Sequence, residues 1–229
     1  MIGIIGAMQS EIDLLCDALR YKLTICEGSF QFYKGVLFGK EVVIVKSGVG
    51  KVNAALATQA LIYCFNPKVI INTGIAGSLD KELCTYDFAL ASSTVYHDVD
   101  ATFFGYKKGQ IPQMSRTINT DRSYVQLFEK VLGQERHNYK VGLIASGDIF
   151  VADDSVKESI REEFSPICVD MESCAIAHTC SLNEKPCVIL RCISDCADKT
   201  ASATYEFNED KCAGASADVV KKVIAIIGE

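Results

Sequence analysis

The sequence predicts an α/β fold, a largely parallel or mixed β-sheet covered by helices on both faces. Two observations carry this. Short β-branched runs alternate along the whole chain with longer segments whose apolar residues recur at helical spacing. The buried runs also end in clusters of Gly, Ser and carboxylates, at the sheet edge where open α/β folds place ligand clefts. The length agrees: a chain of 229 residues, 49% of them hydrophobic, buries roughly 70% of its unfolded surface in one core. Residues 1–229 are therefore read as one domain.

Residues 2–8 (IGIIGAM) form a continuous apolar run closed by glycine, a buried strand. Residues 9–20 follow as a helix through Ile12, Leu15, Cys16 and Leu19, with Glu11 and Asp13 in the first turn, where the helix dipole favours acids. The stretch 23–46 alternates and is broken at Gly28, Gly35 and Gly39, which predicts a meander. Gly50 to Phe65 reads as a helix through Val52, Leu56, Ala60 and Tyr63, and 68–74 (KVIINTG) as a buried strand ending in Gly. A strand at 88–95 leads into a long excursion over 96–120. A helix at 121–134 and a strand in YKVGLIASGD come next. A short helix at 154–163, the apolar ICVDME, a helix at 173–183, the strand CVILRCISD and a last helix at 208–227 complete the alternation.

Charge and composition exclude several functions. Lys plus Arg total 23 against 29 for Asp plus Glu, a net charge of −6, and no run of Lys or Arg exceeds two residues. A nucleic-acid partner needs a basic face, so none is expected. No segment reaches the ~20 apolar residues of a membrane span, and the first residues lack a basic targeting region. A cytoplasmic protein with no membrane partner is expected. The 11 cysteines include no CxxC pair, so they read as reduced thiols serving as small core hydrophobes. No metal and no cofactor is expected. SGVGK lacks the first Gly of a phosphate loop, where Val45 stands, and GIIGAM is not GxGxxG.

Three acids stand just beyond buried strands: Glu11, Glu172 after VDM, and Asp195 after RCIS. A carboxylate in that position is costly unless hydrated, paired or functional. Each alone reads equally well as a helix cap or first-turn acid, but three at one sheet edge predict a shared site. No GxSxG accompanies the serines. His137 and His178 read as structural, and His97 in YHDVD is the histidine that could touch a ligand.

GIIGAM-x-x-E, KSGVGKVNAA, NTGIAGSL, YHDVDATFFGYKKGQIP, ASGDIF, VDMESCAIA and RCISDCAD occur in this order. Together they resemble the 5′-methylthioadenosine/S-adenosylhomocysteine nucleosidases, of the purine nucleoside phosphorylase–uridine phosphorylase family, over nearly the whole chain. The resemblance implies a three-layer α/β/α sandwich around a mixed, partly closed sheet, and hydrolysis of the N-glycosidic bond between adenine and a 5′-thioribose. By the same resemblance Glu11 activates water, Asp195 protonates the purine at N7, and Met171 and Glu172 grip the ribose. Distinct acid and base roles follow the general logic of inverting glycoside hydrolysis. Arg191 and Ser194 order the water and orient Asp195; Arg191 also reads as a buried partner for Glu172.

Phe150 and Val151 match contacts to adenine, and Gly77 a backbone position near the base. Met8, Val49 and Tyr205 match an apolar wall. Phe104, Tyr106 and Pro112 match a loop that closes the neighbouring subunit's 5′ pocket, which makes a homodimer the expected assembly. Nucleosidases of this type commonly carry NTGSAG, whose Ser helps hold the water; this chain has Ile75 there. Either Arg191 and Glu11 suffice, or water placement is weaker, or substrate choice has moved. Three rivals stay open: a phosphorylase of the same family, hydrolysis of 6-amino-6-deoxyfutalosine, and a nucleoside-binding protein without catalysis.

Overall fold

The computed structural model describes residues 1–199 and 201–228. Ten strands form one mixed sheet. Strand β1 (Ile2–Gly6) is central and pairs in parallel with β4 (Lys40–Lys46) and β5 (Ile70–Ser78). β2 (Arg20–Glu27) and β3 (Phe30–Leu37) continue antiparallel beyond β4. On the other side β10 (Cys187–Asp195), β6 (Phe88–Tyr96), β8 (Tyr139–Ser146) and β9 (Cys168–Asp170) close back on β5. The partly closed sheet is thus a five-membered ring with an open wing, and the short β7 (Ile118–Asn119) adds to β6.

Alternation along each strand sorts the core into two faces. Ile4, Val42, Ile44, Ile71, Phe88 and Leu90 pack to one side. There α1 (Gln9–Asp17), α3 (Arg122–Gln134) and α6 (Ala201–Ile226) cover the sheet. Ile5, Val43, Val45, Ile70, Ala89 and Ile189 point to the other, covered by α2 (Lys51–Phe65) and α5 (Ser173–Leu182). α4 (Asp154–Phe164) packs a smaller cluster through Ile160 and Phe164. Among the described residues no helix is long and apolar enough to cross a membrane.

Several expectations change. Gly28 and Gly39 sit in turns with positive φ of 58° and 76°. Gly35 instead lies inside β3, where a Cβ would fall 2.8 Å from the Arg20 carbonyl oxygen at a register shift. α2 buries its small residues Ala54, Ala57 and Thr58 with Leu61 and Ile62; Val52, Leu56 and Tyr63, which revealed the helix, face outward. α6 starts at Ala201, seven residues before the expected 208. Seven of the 11 cysteines are buried as expected, while Cys26, Cys64, Cys84 and Cys196 are exposed.

β5 does not stop at Gly74 but runs on to Ser78, paired with β10 as far as Asp195 opposite Gly77. Gly74 and Gly77 mark close approach rather than an end. A Cβ at Gly74 would stand 2.5 Å from Glu11 Oε1, and one at Gly77 2.9 Å from Asp195 Oδ1.

Candidate active site

Glu11 is the third residue of α1 and folds back over the start of its own helix. Its Oε2 accepts hydrogen bonds from the N–H of Ala7 (2.6 Å) and Met8 (3.1 Å), and Oε1 accepts one from Ile75 N–H (3.1 Å). The side chain bridges the β1–α1 turn to β5 and is 4% exposed. Burial raises its pKa above the ordinary carboxylate value, against the Arg191 charge and the three N–H donors.

Glu172 immediately precedes α5. Its Oε1 accepts from Gly50 N–H at 2.8 Å, at the start of α2, where unpaired N–H groups and the helix dipole favour an anion. Gly50 adopts φ 96° there, a conformation that favours glycine. Burial first, then the Asp170 carboxylate, push Glu172 up to about 8.

Asp195 ends β10. Its Oδ2 accepts from Ser194 Oγ and its Oδ1 from Ala197 N–H, each at 2.7 Å. Burial raises its pKa, with those two bonds opposing.

These three carboxylates line one cavity of about 140 Å³, as sequence reasoning expected. Ile75 and Gly77 from β5 and Met171 and Ser194 from the strand ends border it too. Its apolar wall is Met8, Val49, Phe150 and Tyr205. The Phe150 and Tyr205 rings meet edge to face with centroids 5.6 Å apart, and Tyr205 OH donates to Met8 Sδ at 2.9 Å. The early start of α6 is what brings Tyr205 here.

Other expected residues lie elsewhere. Val151 is buried in the cluster with Ile160 and Phe164 rather than against the cavity. Phe104, Tyr106 and Pro112 do not line the cavity of their own chain. Phe104 is 74% exposed and packs edge to face on Phe103. His97 also stays off the cavity; a Cβ at Gly147 would lie 2.5 Å from its ring.

Arg191 sits beneath the cavity, 2% exposed. Its ion-pair partner is Asp170, Nε to Oδ2 at 2.7 Å, and not Glu172. Nη2 donates to Asn72 Oδ1 at 2.6 Å. Asp170 also borders the cavity and was missed, as were Ala7, Ala76 and Val169. An Asp one residue after an apolar strand and three before a Ser reads as a helix cap, and it does accept from Glu172 N–H and Ser173 N–H. Only its pairing with Arg191, 21 residues on, sets it apart.

The phosphorylase superfamily model matches residues 1–225. The chain is 42% identical over 228 residues to the 5′-methylthioadenosine/S-adenosylhomocysteine nucleosidase of Staphylococcus haemolyticus (strain JCSC1435), covering 99% of this chain and 100% of that one. The nucleosidase of that name from Neisseria meningitidis, solved in complex with methylthio-immucillin-A, superposes with a TM-score of 0.96 at 38% identity, covering 98% of each chain. The futalosine hydrolase of Helicobacter pylori strain 26695 superposes with a TM-score of 0.94 at 36% identity, covering 97% of this chain and 96% of that one. The ring-closed sheet and the glycine-cradled carboxylates agree with these matches, and the chain belongs to the phosphorylase superfamily and, within it, to the 5′-methylthioadenosine/S-adenosylhomocysteine nucleosidases.

Proposed function

We propose that this protein hydrolyses the N-glycosidic bond of 5′-methylthioadenosine and S-adenosylhomocysteine, releasing adenine and the 5′-thioribose, with residues 1–229 acting as one catalytic domain. The observation that carries the reading is the convergence of Glu11, Glu172 and Asp195 on one cavity. Glu11, its pKa raised by burial, is a stronger base than a solvated carboxylate and takes a proton from the attacking water. The water oxygen bonds to C1′ as the C1′–N9 bond breaks and its electron pair passes to the purine. Asp195, whose burial favours the protonated form, gives its proton to purine N7. With Gly50 N–H on Oε1, Glu172 keeps Oε2 for the ribose hydroxyls, and in its ionised form it stabilises the cationic ribosyl ring. Ser194 orients Asp195, and Met171 packs on the sugar. The base packs against the wall formed by Phe150 and Tyr205, with the backbone of Gly77 at its edge.

Water rather than phosphate fits the charges. Glu11, Asp170, Glu172 and Asp195 line the cavity, and none of the described lining residues is Lys or Arg. A phosphate dianion there would meet four carboxyl groups against the single buried charge of Arg191. Lys51, the cation nearest in sequence to the glycine loops, is held by Asp98 at 2.5 Å and Asp148 at 3.6 Å. The likeness to the H. pylori futalosine hydrolase supports a second reading, in which the reaction is kept and 6-amino-6-deoxyfutalosine is the substrate. Relative kcat/KM on the two nucleosides separates them.

The assembly we propose is a homodimer in the cytoplasm, in which Phe104, Tyr106 and Pro112 of one subunit close the 5′ pocket of the other. The exposure of Phe103 (92%) and of the outer face of α2 supports the dimer, and cysteines left unpaired suit a reducing compartment. Asp195→Asn tests the chemistry. Turnover is expected to fall at least about a thousandfold while an adenine nucleoside analogue still binds; near-normal turnover rejects the assignment.

A further inference from the structure

The reaction set out above gives Asp170 and Asn72 no part, yet both are bound to Arg191 under the cavity floor. Asp170 takes five hydrogen bonds: from Ser146 Oγ at 2.6 Å, from Glu172 N–H, Ser173 N–H and Ser173 Oγ, and from Arg191 Nε at 2.7 Å. Asn72 accepts from Arg191 Nη2 at 2.6 Å and donates to the Ile5 carbonyl at 2.9 Å. A buried polar line therefore crosses the sheet from Ser146 on β8 through Asp170 on β9, Arg191 on β10 and Asn72 on β5 to Ile5 on β1. Asp170 carries this line to the cavity itself, beside Glu172.

A buried guanidinium held on one edge by a carboxylate and on another by an amide has one orientation. We infer that Asp170 and Asn72 are positioning residues for the glycosidic hydrolysis: together they aim the Arg191 guanidinium at Glu11 and Glu172, and the Asp170 charge sets how much of the Arg191 field those two carboxylates receive. Asp170 is faced by Glu172 just before α5, Cys174 on α5, Cys168 on its own strand, His97 beyond β6 and Arg191 from β10. Arg191 in turn is faced by Glu11 from α1. Of these neighbours Arg191 is the cation, so loss of the Asp170 charge leaves its field unopposed on both working carboxylates.

This inference rests on the hydrolase reading, so the wild-type protein is assayed first for adenine release from 5′-methylthioadenosine; no release there defeats both, whereas release by the wild type with unchanged variants defeats this inference alone. In Asp170→Asn the shape is kept and the charge is lost. The acid limb of the kcat/KM profile, which reports the carboxylates that must be ionised, is expected to move down by about one pH unit. A lowered rate with an unmoved limb would reduce Asp170 to a structural cap and overturn its electrostatic role. Asn72→Ala removes the second anchor and leaves every charge. Here kcat is expected to fall about tenfold with KM within about twofold and the limb in place. Wild-type kcat in Asn72→Ala overturns the positioning role, and this variant decides the matter should Asp170→Asn, with an unpaired buried Arg191, fail to fold.

Discussion

At Gly74 and Gly77 one added carbon would meet Glu11 Oε1 at 2.5 Å and Asp195 Oδ1 at 2.9 Å, so strand β5 carries its two glycines where these two carboxylates rest against it. Ile75 stands between them, lines the cavity and gives its N–H, but no side-chain hydroxyl, to Glu11. The β5 residues that line the cavity, Ile75, Ala76 and Gly77, then offer only backbone groups to the water of the proposed reaction. Ile75→Ser adds a donor beside Glu11 and is expected to raise kcat roughly threefold to tenfold, the worth of a hydrogen bond of about 1 kcal/mol. Because Ile75 is 8% exposed, the same change is expected to cost about 2 kcal/mol of stability. Steady-state kinetics and thermal melts on one preparation read both effects. An unchanged or lower kcat in folded protein would show that the water is already fully held without this position.

Elements were legible where their pattern had one cause, and less so where two causes shared a residue type. β1 is apolar because both its faces are covered, and it was plain in IGIIG. The end of β5 was misplaced because glycine marks strand ends and also close approach. The placement of Glu11, Glu172 and Asp195 could be read because each follows a buried strand; Asp170 and Asn72 could not, since their partner Arg191 lies far along the chain. On α2, apolar spacing marks the helix correctly through residues that do not enter the core. Val52, Leu56 and Tyr63 are 69%, 56% and 87% exposed, which puts an apolar stripe on the outside of the α2 layer. In the proposed dimer this stripe is covered. Leu56→Asp is expected to shift the sedimenting species from dimer to monomer and to lower kcat/KM about tenfold or more, with little loss of fold because the site is exposed in the single chain. A wild-type dimer with unchanged kinetics would remove α2 from the interface.

Across the whole molecule the site is a store of destabilising charge. Glu11 and Glu172, ordinarily near 4.5, and Asp195, ordinarily near 3.8, are all raised by burial, Glu172 to about 8. The folded protein therefore keeps protons that the unfolded chain has released. Stability from these groups is full below their ordinary values and is lost as pH rises through their folded ones, a window that reaches about 8 for Glu172. Asp98 behaves oppositely: burial would raise it, but the Lys51 ammonium and the Asp148 N–H outweigh burial and lower it. Its contribution is present above its ordinary 3.8 and fades as pH falls through the folded value. The melting temperature of the unliganded protein is accordingly expected to fall as pH rises from about 5.5 to about 8.5, with Glu172→Gln flattening the slope. A melting temperature that climbs over this range would mean that the site is ionised without strain.

In the proposed reaction water, not phosphate, takes the ribosyl group in a cavity lined by carboxylates. Adenine release from 5′-methylthioadenosine in phosphate-free buffer, repeated with phosphate added, tests it most directly. Equal release in both, with free 5-methylthioribose as the second product, is the predicted result. Release only when phosphate is present, with the sugar recovered as its 1-phosphate, would contradict it.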